Sequence, residues 1–191
     1  MDYGLCTMTP VSLIITCEEE QQQQLMRLLP DLLTMQYDGE YEVIVVDKMH
    51  DKDLAEWLEG MEACYPHLCH TFCSRAASTP QKTSRKEDFI HRLAFTLGAK
   101  AANYDWLVFL SAGVGVPGGD WLTRLTASCG DDVDVVLGKT GRKHRWDSFK
   151  DIFRRKFSIF HPTSSIILCR RSLLLQPETQ IPKKRITRLP L

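Results

Sequence analysis

The sequence predicts an α/β protein with a doubly wound, mostly parallel sheet, a Rossmann-like three-layer sandwich. Three observations carry that expectation. Short β-branched and apolar runs alternate with stretches whose apolar residues recur every three or four positions. Strands separated by helical segments imply parallel β-α-β units with right-handed crossovers. The run from Trp106 to Leu110 stops abruptly in Ser111-Ala112-Gly113-Val114-Gly115-Val116-Pro117, as a buried strand does when it delivers a loop to the ligand-facing edge. In a doubly wound sheet that edge is formed by the carboxyl ends of the strands.

The elements follow in order. A first strand is predicted over 11–16 and a helix over 19–35, which Pro30 should bend or divide because it lacks an N–H and clashes with the preceding turn. A second strand covers 41–47 and ends in Asp47. The next helix, Asp51 to Cys64, places Leu54, Trp57, Leu58 and Met61 on one face. A third strand is predicted over 69–74, and Ala76 to Arg85, rich in Ser, Thr, Pro and Gln, reads as a loop. A helix over 86–103 leads into the strand before Ser111. Beyond Pro117-Gly118-Gly119 another helix begins with Asp120 as its N-cap, and Val133 to Leu137 forms a further strand. The apolar positions among Trp146, Phe149, Phe153, Phe157 and Phe160 have the spacing of a packed helix.

Composition bounds the class. With 191 residues, 43% hydrophobic and 25% charged, the chain suits one globular domain. No apolar run reaches bilayer-spanning length and Met1 to Pro10 lacks signal-peptide character, so a cytoplasmic location is expected. Seven cysteines, an odd number, several of them in apolar segments, suit reduced thiols. The zero net charge hides a division: residues 139–191 carry 14 Lys and Arg against 3 acids, and residues 1–138 carry 10 against 21. Such a basic third meets either the acidic body of its own chain or an anionic surface. Its aromatics read as helix packing rather than a stacking platform, so no nucleic-acid partner is expected. No Gly-Lys-Ser phosphate loop, dinucleotide fingerprint or nucleophile elbow occurs.

In order and spacing, the runs at 11–16, 41–47, 94–102, 106–113 and 120–122 resemble the nucleotide-sugar-binding half of a family 2 glycosyltransferase of GT-A fold, over roughly residues 10 to 140. The resemblance implies a core over 1–138, with 139–191 as a basic segment packing on the same domain. It implies a UDP-sugar ligand and nucleotide-binding positions at Thr16, Glu18, Asp47 and Lys48. It also implies three departures. Ser111, Ala112 and Gly113 stand where the family normally has Asp-X-Asp, which holds Mg²⁺ or Mn²⁺ against the diphosphate. These hard ions prefer carboxylate oxygens. The family's typical divalent metal therefore lacks its ligands, and no cofactor is expected. Lys48 reverses the charge of the second member of an acidic pair that starts at Asp47, and the alternative role of Asp47 is that of a loop or cap acid. The acceptor region that normally supplies a general base is truncated, with Glu178 the sole late carboxylate.

The expectation is a degenerate transferase-like protein, weakly active or inactive, kept as a binding or partner subunit in glycan or polysaccharide synthesis, with an active homologue as one such partner. An alternative is an active, metal-independent transferase in which Lys48, with Arg75, Arg142 or Lys143, supplies the positive charge. A third reading is a peripheral protein at the inner membrane face, acting through Arg154-Arg155-Lys156 and the apolar residues around them. The stretch Cys64 to Cys73 holds three thiols and two imidazoles. Its spacing matches no established zinc pattern and a strand would point Cys69 and His70 apart, so buried cysteines at a helix-to-strand junction are expected. Gly98 is expected to permit close helix packing, Trp121 to fill the space under the loop after Pro117, and Gly138 and Gly141 to make turns. His91 and Arg92 read either as exposed helical charges or as groups that approach a diphosphate.

Overall fold

The apolar runs at the centre of the chain become strands. Val11–Cys17 (β1), Tyr41–Asp47 (β2), Leu68–Phe72 (β3) and Trp106–Ser111 (β4) lie side by side, and every residue of β1 is buried. A computed structural model of the chain describes residues 8–48, 51–73, 84–112, 118–139, 166–175 and 185–191. Val135–Lys139 (β5), Ile166–Arg170 (β6) and Ile186–Pro190 (β7) complete one seven-stranded sheet in the order β3-β2-β1-β4-β6-β5-β7. Strands β1 to β4 pair in parallel, and β7 is parallel to β5. The exception is β6, which runs antiparallel between β4 and β5. Its apolar run Ile-Ile-Leu-Cys suits a central strand, but such a run is the same in either direction.

The helices are α1 (Gln22–Leu33), α2 (Lys52–Cys64), α3 (Ser84–Ala101), α4 (Trp121–Thr126) and α5 (Arg171–Leu175). The expected helix over 19–35 is instead a 3₁₀ turn, Glu19–Gln21, followed by α1, and Pro30 sits inside α1 without dividing it. Proline removes the bond to the carbonyl four residues back. That carbonyl belongs to Met26, a 38% exposed residue whose surroundings water can reach. Both the N–H and the hydroxyl of Thr34 then donate to Pro30 O, at 3.1 and 2.8 Å, and end the helix. Asp51 caps α2 by accepting from Leu54 N at 2.9 Å. Asp120 stands at the N-cap of α4 but makes no such bond, because its backbone (φ −98°, ψ 6°) lies outside the extended region that aims a capping side chain. Ser84 and Arg85, expected in a loop, already belong to α3.

Helix α3 crosses β1 and β2 at Gly98, where a Cβ would lie 2.5 Å from Ile14 Cγ2, so the close approach requires glycine. Phe95 of α3 meets Phe109 of β4 edge to face at 5.1 Å. Gly138 lies inside β5 rather than in a turn, and a side chain there would overlap Leu191 and press on Ile166. Trp121 is buried; residues 113–117, under which it was expected to lie, fall outside the described residues, as do Gly141, the predicted helix around Trp146 to Phe160, Arg154 to Lys156, and Glu178.

Two polar clusters staple the sheet. Glu42 sits opposite Ser12 in the β1–β2 register, 9% exposed, and accepts from Ser12 Oγ and Asn103 N at 2.6 Å and from Asn103 Nδ2 at 2.7 Å. Farther across the same edge, beside the start of β4, Asp134 Oδ1 lies 2.7 Å from Arg185 Nη2 and 3.6 Å from Arg170 Nε, while Arg170 also stacks 4.6 Å over Trp106. These two arginines of the basic third are thus tied to an acid of the first part of the chain. The edge strand β7 was not predicted. Its Ile and Thr and its terminal Pro190, which lacks a donor and suits a sheet edge, are the signals that point to it.

Candidate functional site

The parallel register brings the ends of four strands to one edge. Cys17 pairs with Asp47 and Asp47 with Phe72, while Thr16 lies between Val46 and Ser111. All four nucleotide-binding candidates therefore collect at the carboxyl edge of the sheet. They do so on different sides: strand side chains alternate, so Thr16 points to the face opposite that of Cys17 and Asp47.

Glu18 and Lys48 meet. Lys48 Nζ lies 2.8 Å from Glu18 Oε1; the lysine side chain is 7% exposed and the glutamate 47%. The backbone explains the meeting, because Lys48 N donates to Cys17 O at 3.2 Å and so holds the two post-strand residues abreast. Burial lowers the Lys48 pKa, and the hydrogen bond and charge of Glu18 pull it part of the way back. Asp47 is 3% exposed and its Oδ2 accepts from Asp51 N at 2.9 Å. Its carbonyl accepts from Cys73 N at 2.7 Å, which joins the end of β3 to the same edge. The Asp51 carboxyl is held below its usual range, first by Leu54 N–H and then by the Gln22 side chain.

At the end of β4 the chain turns through Ala112, which is 3% exposed. Gly113, Arg75, Arg142 and Lys143 lie outside the described residues. Among the described residues no three His, Cys, Asp or Glu side chains converge as a metal set. In the Cys64 to Cys73 stretch, Cys64 and Cys69 are exposed and only Cys73 is buried, contrary to the expectation of a buried group. The period-two turn of β3 puts Cys69 outward, and the neighbouring His70 is engaged by Glu62, whose Oε1 accepts the His70 N–H and lies 3.0 Å from Nδ1. His91 and Arg92 fall within α3.

Cys17, buried beside Asp47 and Glu18, has its thiol pKa pushed up from 9.0 to about 12, chiefly by burial. Above pH 9.0 the unfolded chain releases this proton while the fold retains it, so stability present below that pH is lost as pH rises toward about 12. At about pH 10 the loss amounts to about 1.4 kcal/mol. Lys48 acts in the opposite sense, since a lowered pKa makes its contribution improve with pH. Urea midpoints of the protein and of Cys17→Ala at about pH 8 and pH 10 isolate the thiol: the variant should lose less stability between the two, and equal losses would contradict the assignment.

A cavity of about 640 Å³ opens between the end of α1 and the start of α4, lined by Met35 and Trp121 but also by Asp31, Asp38 and Asp120. Three carboxylates make it a poor place for a diphosphate.

The mixed sheet, its strand order and its structural neighbours define a GT-A-like α/β fold. Among solved structures the chain is similar to TarS 1–349 of S. aureus, with a TM-score of 0.61 and 18% identity over 95% of this chain and 58% of that one. It is similar to the mannosyltransferase PcManGT of Pyrobaculum calidifontis in complex with GDP-Man and Mn²⁺, with a TM-score of 0.57 and 18% identity over 86% of this chain and 45% of that one. TarS 1–349 in complex with UDP-GlcNAc gives a TM-score of 0.57 and 18% identity over 87% of this chain and 47% of that one. The chain thus spans about half the length of these proteins. No protein-family model and no curated protein matches the sequence.

Proposed function

We propose that this chain is a GT-A-type nucleotide-sugar-binding domain with weak or absent transferase activity, retained as a binding or partner subunit. The carboxyl edge carries the reading: the positions expected to contact a nucleotide come together there, while the end of β4 presents the buried methyl of Ala112. A nucleoside diphosphate leaving group needs positive charge as its bond breaks. Residues 111–117 contain no carboxylate, so they do not fit Mg²⁺ or Mn²⁺, and no step is routed through a metal. On this reading the three residues stand at a lapsed Asp-X-Asp. Solved neighbours of the fold hold UDP-GlcNAc and GDP-Man, which makes a nucleotide sugar the natural ligand class to test.

The metal-independent transferase draws on Lys48, whose ammonium already faces Glu18. The inner-face reading draws on residues outside those described; no described helix is long and apolar enough to cross a membrane. Calorimetry with UDP, UDP-GlcNAc and GDP-Man separates the cases. The expected result is binding unchanged between Mn²⁺ and excess chelator, with no sugar transfer to water or acceptor. Turnover lost on chelation would overturn the metal-free reading, and binding to anionic vesicles that falls with salt would favour the peripheral one.

A further inference from the structure

Strand β3 ends the sheet: among the described residues it pairs with β2 and with no other strand. In a parallel pair the residues of a strand alternate between bonding to the neighbour and turning their N–H and C=O away from it. His67 O accepts from Val43 N at 2.8 Å and Cys73 N donates to Asp47 O at 2.7 Å, so residues 67, 69, 71 and 73 face β2. The backbones of Leu68, His70 and Phe72 therefore face outward.

An outward row of this kind is a template for another strand, and proteins blunt it with charged residues or proline on the edge. Leu68-Cys69-His70-Thr71-Phe72 carries no Lys, Arg, Asp, Glu or Pro, and Phe72 is 49% exposed. The strand has none of these devices of its own. Two of its outward donors are nevertheless taken. Leu68 N donates to Tyr65 O at 2.9 Å, which closes the turn after α2. His70 N donates to Glu62 Oε1, and the same oxygen lies 3.0 Å from His70 Nδ1. The His70 carbonyl receives the Cys69 thiol at 3.8 Å, a weak donor. Glu62 stands in the last turn of α2 with its side chain 30% exposed, so the helix lends the edge the negative charge that the strand lacks.

We infer that Glu62 guards the β3 edge against strand pairing with a second copy of this chain. The carboxylate fills the place that the carbonyl of an incoming strand would take at His70, and it sets there a charge that such a strand would have to bury. The occupant is a second copy because the outward pattern is self-complementary. With two β3 strands antiparallel about a two-fold axis at His70, each His70 N–H meets the C=O of the other. No Lys, Arg, Asp or Glu within the strand opposes that approach. The inference stands apart from the nucleotide reading of the carboxyl edge.

The test is sedimentation equilibrium of the full chain, Glu62→Ala and Glu62→Ala/His70→Pro over a wide concentration range, each checked for folding by circular dichroism. Glu62→Ala should climb toward twice the mass of the parent as concentration rises. Its His70 amide should exchange faster than the parent's when dilute and slow again on association. His70→Pro removes the outward donor without touching a bond to β2, so the double variant should return to the mass of the parent. Should Glu62→Ala fail to fold, Glu62→Gln takes its place, since it keeps an oxygen for the His70 N–H but has no charge to bury, and it too should associate where the parent does not. A folded variant that keeps the parent's mass, association that leaves the His70 amide unprotected, or a parent that already pairs through His70 overturns the guarding role.

Discussion

Glu42→Ala is expected to cost about 3 kcal/mol, since a buried polar group deprived of its partner costs about 1–3 kcal/mol. The carboxylate joins three chain segments: Ser12 of β1, its own strand β2, and Asn103 between α3 and β4. Its removal leaves the Ser12 hydroxyl and the Asn103 N–H without that acceptor, and Ser12 Oγ in turn receives Tyr104 N at 3.3 Å. For a chain of this size the loss corresponds to a fall in Tm of about 10 °C. Glu42→Gln should cost less, because its carbonyl keeps one acceptor and the exposed amide of Asn103 can turn to meet the new NH₂. Thermal unfolding of both variants decides the matter. An alanine variant within about 1 kcal/mol of the parent would mean that water replaces the carboxylate.

Gly98→Ala is expected to destabilise by about 1–3 kcal/mol, although alanine gains about 1 kcal/mol over glycine in an open helix. The new Cβ would stand 2.5 Å from Ile14 Cγ2 and 3.4 Å from Val46 Cγ2. Ile14 cannot turn aside, because β-branched side chains hold one χ1 strongly and it is fully buried between β2 and β4. Truncating Ile14 to alanine costs about 2–5 kcal/mol alone. The double variant should cost less than the sum of the two by about 1 kcal/mol or more, since the added methyl then fills vacated space. Strict additivity in urea midpoints would show that α3 shifts away from the sheet instead.

Strands β1, β2 and β4 were legible because their apolar runs are continuous and bounded by polar or small residues. Helix α2 was legible through its three-four spacing, while the Asp51 cap emerged only in the structure. The orientation of β6 was not, since an apolar run carries no direction, and β7 was hidden in a segment dominated by its charge. Pro30 misled by its local rule, since it stands inside α1 without dividing it. At the edge, Thr16, Glu18, Asp47 and Lys48 were named as candidates through the family resemblance, but their spacing says nothing about which of them touch. Glu42 was missed altogether: an acid at the start of an apolar run reads as a solvent-facing residue until its partners are known.

The sequence alone determined the alternation of strands and helices, the absence of carboxylates from 111–117 and the division of charge between the two parts of the chain. Each of these is a property of neighbours or of composition. Only the tertiary structure decided that Lys48 is neutralised by Glu18, 30 residues away, and that Glu42 is spent on Asn103, 61 residues away. Whether such groups meet depends on strand register, and a shift of one residue turns every side chain to the other face.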